Sequence, residues 1–109
     1  MLKFYKVDGQ ILINEARGEE ITPNTTDGAL EKQVPVIEKD GDKVTVTVGS
    51  VEHPMLEAHY IQWIVLETAG GYEKKDLQPG EKPAAVFEVT EPVIAAYEYC
   101  NLHGLWKAE

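Results

Sequence analysis

The chain has 109 residues with 19 acidic and 10 basic side chains, a net charge of −9. That surface disfavours nucleic acid and anionic membrane as partners, and no stretch approaches the roughly 18 apolar residues of a membrane span. The single cysteine excludes an internal disulfide and with it a disulfide-built secreted scaffold.

The length suits one domain with a modest core. The opening MLKFYKVDGQ has no apolar run of signal-peptide type, and a reducing cytoplasm is the expected location. In the first 30 residues, Phe4-Tyr5 and Ile11-Leu12-Ile13 can form a small hairpin around Asp8-Gly9. Residues 15–29 are polar and rich in Gly, Thr and Asn. Residues 1–30 are therefore read as a short N-terminal extension and residues 31–109 as the folded unit.

Beyond the extension, strand signals dominate. Val34 to Glu38 is β-rich, and Pro35 places it near a sheet edge or a strand start. Lys43 to Val48 alternates polar and apolar residues, as a half-buried strand does. Asp40-Gly41-Asp42 between these two runs signals a hairpin turn. Ala58 to Thr68 is too β-branched and aromatic for a helix. Simple alternation puts His59, Ile61, Trp63 and Val65 on one face and Tyr60, Gln62, Ile64 and Leu66 on the other, which predicts a central strand. Gly70-Gly71 and Gln78-Pro79-Gly80 mark turns on either side of a strand over Tyr72 to Leu77. Ala84 to Thr90 and Val93 to Tyr99 follow, broken at Glu91-Pro92. Short strands with regular turns predict an all-β fold, an immunoglobulin-like β-sandwich.

All three histidines and the only cysteine fall into two clusters, His53 with His59 and Cys100 with His103. Imidazole and thiolate are ligands for Fe, Cu and Zn. The first pair opens the long strand and the second follows the last long strand, so two loops at one end of a sandwich can meet around one ion. Isolated, each residue is more commonly a surface histidine or a small buried hydrophobe. Clustering of the chain's entire His and Cys content is what favours a site. Three His and one Cys can close a tetrahedral zinc site. A blue-copper or cupredoxin-type electron-transfer site is disfavoured because no methionine follows His103, which leaves Met55 as the nearby thioether. Spacing alone does not separate iron from zinc.

The segment His53-Pro54-Met55 to His59-Tyr60-Ile61, followed by Cys100-Asn101 and His103-Gly104-Leu105-Trp106, resembles the superoxide reductase family, also called desulfoferrodoxin or neelaredoxin. Glu31-Lys32-Gln33-Val34-Pro35 is similar to that family's E-K-H-x-P motif, with glutamine at the histidine position. The resemblance implies a mononuclear non-haem iron with four equatorial histidines, an axial thiolate and an open sixth position. It maps His53, His59 and His103 onto three of those histidines and Cys100 onto the thiolate. Gln33 stands at the fourth. The implied reaction is one-electron reduction of superoxide to hydrogen peroxide. Lys32 corresponds to a lysine that attracts the anion, and Glu31 to a carboxylate that can fill the sixth position. Asn101 and the backbone near Leu102 are expected to donate hydrogen bonds to the Cys100 sulfur. The resemblance also implies a rubredoxin-type electron donor and a dimer or tetramer. The N-terminal extension resembles a degenerate desulforedoxin-like module, with Val7 where its first cysteine would stand. The alternative reading of Gln33 is a metal-binding sandwich, holding zinc or weak iron, with little or no catalysis.

Overall fold

The computed structural model describes residues 1–25, 33–49 and 53–109. Ten strands are found among these residues. They are β1 (Phe4–Val7), β2 (Gln10–Ile13), β3 (Glu19–Ile21), β4 (Pro35–Asp40), β5 (Lys43–Val48), β6 (Ile61–Thr68), β7 (Gly71–Asp76), β8 (Ala84–Glu88), β9 (Val93–Cys100) and β10 (Gly104–Ala108). A three-stranded sheet, β4-β5-β8, and a four-stranded sheet, β10-β9-β6-β7, form the β-sandwich. A separate sheet, β2-β1-β3, lies at the N-terminus.

The strand β5 follows the predicted alternation. Val44, Val46 and Val48 are fully buried, while Thr45 and Thr47 are half-buried. Each such valine contributes about 1.5–3 kcal/mol on leaving water. The β4–β5 hairpin pairs Asp40 with Lys43, and Gly41 takes a φ of +63° at the first position of the turn. That conformation suits glycine and the type II′ turn. Pro35 begins β4, an edge strand, where its missing N–H costs no ladder bond.

The strand β6 is central, between β9 and β7. Its facing differs from simple alternation. Ile61 pairs with Cys100 and Trp63 with Tyr99, so Gln62 is an extra residue in a bulge. A bulge changes which face the following residues occupy. Ile61 consequently packs with Ile64, Leu66 and Cys100 between the two sheets, while Trp63 and Val65 face the opposite side.

That opposite side is covered by the N-terminal strands. Phe4 of β1 is fully buried, stacks on Trp63 at 6.1 Å between ring centroids and meets Tyr97 at 4.8 Å. Leu2, Ile11, Ile13 and Ile21 pack on the same cluster. The predicted Asp8-Gly9 turn closes β1 onto β2, with both residues at positive φ. Two strands lie where the sequence reading placed none. The strand β3 is short and carries Glu19 and Glu20, which hide its β character. The strand β10 follows a ligand motif and reads as a tail, yet Leu105 and Trp106 are buried.

Candidate metal centre

Two loops meet at one end of the four-stranded sheet. The first runs from His53 into β6. Within it Leu56 and His59 exchange backbone hydrogen bonds of 2.9 and 3.0 Å, a tight turn that fixes where His59 leaves the chain. Met55 accepts a hydrogen bond at its Sδ from the Ile61 N–H at 3.4 Å and packs on the core, so its sulfur is already engaged. The second loop, Asn101 to His103, joins β9 to β10. Gly104 ends it at a φ of +84°.

Asn101 clamps the two loops. Its Nδ2 donates to the Ala58 carbonyl at 3.0 Å, and its Oδ1 accepts from the Tyr60 N–H at 3.0 Å. The expected side-chain bond from Asn101 to the Cys100 sulfur is therefore replaced by a bond to the facing loop. The backbone N–H groups of Leu102 and His103 are the ones that donate to the sulfur.

The clamp brings His53, His59 and Cys100 together. One donor atom from each lies within 4.8 Å of the other two. Donors at roughly 2.0–2.3 Å from one ion are about 3.3–3.8 Å apart at tetrahedral angles and at most about 4.6 Å apart across it, so the group would close on an ion by drawing inward by on the order of 1 Å. The His53 and His59 rings meet edge to face at 4.8 Å. His53 is buried, and its Nδ1 lies 2.7 Å from the Pro54 carbonyl. A carbonyl only accepts, so Nδ1 carries the hydrogen and Nε2 presents a lone pair. His103 is exposed, with its ring 5.0 Å from that of His59, and stands outside the group of three. Glu31 and Lys32 lie outside the described residues.

Gln33 is buried against the group. Its Nε2 lies 3.1 Å from Nε2 of His53, while its Oε1 has no hydrogen-bond partner among the described residues. An orphaned buried carbonyl beside imidazole and thiolate fits a cation. Burial raises the pKa of the Cys100 thiol; the Leu102 and His103 N–H groups oppose this and nearby Glu98 adds to it. A bound cation supplies the charge that favours the thiolate.

Glu98 escaped sequence reasoning. It is fully buried, and neither carboxyl oxygen has a hydrogen-bond partner among the described residues. Burial pushes its pKa up to about 9. A signal existed: along β9, Glu98 shares the parity of Ala96 and Cys100, which face the inter-sheet core.

A three-on-four β-sandwich gathers imidazole and thiol donors at the end of one sheet, a donor set able to hold a metal ion. The chain belongs to the desulfoferrodoxin family, whose model, described as Desulfoferrodoxin, matches residues 25–109. It is 56% identical over 85 residues to a desulfoferrodoxin of Nitratidesulfovibrio vulgaris, covering 78% of this chain and 68% of that one. It is 39% identical over 98 residues to a superoxide reductase of Thermococcus kodakarensis, covering 72% and 85%. Among solved structures, the superoxide reductase of Treponema pallidum superposes with a TM-score of 0.87 at 35% identity, covering 100% of this chain and 99% of that chain.

Proposed function

We propose that this chain is a superoxide reductase working at a mononuclear non-haem iron, and that residues 31–109 carry the reaction. The convergence of His53, His59 and Cys100 within 4.8 Å carries this reading, and the desulfoferrodoxin and superoxide reductase relatives support it. His103, beside His59, completes the donor set from the exposed side. Iron held there by these residues would supply the one-electron redox couple.

The remaining work falls to the chain. Superoxide takes up one electron and two protons and leaves as hydrogen peroxide. The net charge of −9 repels an anion, so a local positive centre is required. Lys32 would supply it and help order a proton-donating water, while Glu31 would offer a carboxylate to a bound ion. The Leu102 and His103 N–H groups hold the Cys100 sulfur and temper its donation to the ion. A rubredoxin-type donor returns the electron; residues 1–30 contain no cysteine. The setting is cytoplasmic and the working form a homo-oligomer.

The test is anaerobic purification, quantification of Fe and Zn, and NADPH-coupled superoxide consumption with a rubredoxin donor. Iron-loaded protein that is blue when oxidised and turns over superoxide is the expected result. Iron-loaded protein without turnover sinks the enzyme reading. Colourless, zinc-loaded, inactive protein favours a metal-binding sandwich without catalysis.

A further inference from the structure

We propose that the Gln33 side chain is a two-position amide: in the metal-free site its Nε2–H donates to the Nε2 lone pair of His53, and on metal entry the amide turns over and gives Oε1 to the ion. This rests on metal binding at the site described above and is independent of whether the protein reduces superoxide.

The first position is read from the hydrogen bonds. The Pro54 carbonyl, 2.7 Å from Nδ1, fixes the His53 hydrogen on that nitrogen. Nε2 is then an acceptor, and the Gln33 atom 3.1 Å away must approach it as a donor. The opposite end of the amide gains nothing in this orientation. Gln33 is only 2% exposed, and Oε1 has no hydrogen-bond partner among the described residues. A buried carbonyl without a donor costs about 1–3 kcal/mol. The metal-free arrangement therefore satisfies one end of the amide at the expense of the other.

Metal entry reverses the balance. With Nδ1 engaged, His53 has only Nε2 to offer an ion, and the Gln33 N–H competes for that lone pair. Once the ion takes it, an amide N–H pointed at a cation is repelled. Rotation by half a turn about the last side-chain torsion exchanges N and O with no change of volume, and that torsion is soft. The spacing also fits. Two neighbouring donors on one ion, each about 2.1 Å away, are about 3.0–3.4 Å apart for angles between a right angle and the tetrahedral angle. The amide atom already sits 3.1 Å from the His53 donor. A carbonyl oxygen among imidazoles and a thiolate makes the site harder, and relaxes its discrimination against oxygen-preferring ions.

The experiment uses the full chain and zinc ion alone as a diamagnetic probe. Zinc affinity is measured by chelator competition for the wild type and for Gln33→Leu, and the Gln33 side-chain 15N–1H and 13Cδ resonances are followed by NMR during titration. The expected results are a large shift of both sets of resonances in step with zinc occupancy and binding about 10-fold or more weaker in Gln33→Leu. Tight zinc binding with Gln33 resonances unmoved, or with Gln33→Leu binding as tightly as the wild type, overturns the proposal and leaves the metal site standing. No zinc binding by the wild type overturns both. Gln33→Glu, which keeps an oxygen at the position and loses the amide N–H, is the second variant. It is expected to bind zinc at least as tightly as the wild type, and weaker binding than Gln33→Leu contradicts an oxygen ligand at this position.

Discussion

Replacing Glu98 by glutamine should make the metal-free protein less sensitive to alkali. The carboxyl is fully buried, and burial moves its pKa from 4.5 to about 9. Between those two values the folded chain holds a proton that the unfolded chain has released. The unfolded state then binds fewer protons, and unfolding free energy falls as pH rises. One group contributes about 1.4 kcal/mol per pH unit in that window, so from pH 6 to pH 8 it removes roughly 3 kcal/mol. This is a sizeable part of the 5–15 kcal/mol typical of a small domain. The loss begins above the unfolded value, near 4.5, and ends once pH passes the folded value, near 9. Urea unfolding of chelator-treated wild type and Glu98→Gln at pH 6 and pH 8 isolates the effect, because every other titrating group is common to both. The wild type should lose roughly 3 kcal/mol more than the variant over this interval. Parallel losses would refute the reasoning and mean that Glu98 ionises in the folded protein as it does in water.

Phe4→Ala empties the centre of the aromatic cluster and should cost about 3–5 kcal/mol; a thermal midpoint lowered by less than about 5 °C would contradict that role for Phe4. In Tyr97→Phe the buried Glu67 Oε1 loses the hydroxyl that donates to it at 2.7 Å, which should cost about 1–3 kcal/mol in urea unfolding. Unchanged stability would mean that water replaces the hydroxyl. Asn101→Ala removes the two side-chain bonds between the ligand loops, leaving the 3.3 Å backbone bond from the Asn101 N–H to the Tyr60 carbonyl, and should weaken metal binding about 10-fold with the far-ultraviolet circular dichroism preserved. Equal affinity by chelator competition would show that the loops hold their positions without the clamp.

Much of the sandwich is readable from local chemistry. Alternation at Lys43 to Val48 and the glycines at Asp8-Gly9 and Gly41 mark strands and turns whose causes lie within a few residues. The two ligand clusters are equally plain, and the structure brings His53, His59 and Cys100 into one group. What stayed hidden depends on pairing between distant residues. The extra residue at Gln62 exists only relative to β9. Asn101 reads as a helper for the neighbouring sulfur until the facing loop is seen to take both ends of its amide. The direction in which the Gln33 amide points is set by His53, which is remote in sequence.

The bulge at Gln62 has a consequence for how the molecule can change. A strand without it ties the facing of residue 61 to that of residue 63, so any shift that repacks the aromatic side also turns the ligand-bearing end. One supernumerary residue breaks that tie. The end of β6 beside Cys100 therefore packs in the inter-sheet core, while the stretch beneath Phe4 packs on the opposite face of the same strand. Transplanting the donor group into another sandwich should therefore require Gln33 and the His53–Ile61 and Cys100–Gly104 segments together with the bulge at Gln62, and none of Phe4, Trp63 and Tyr97.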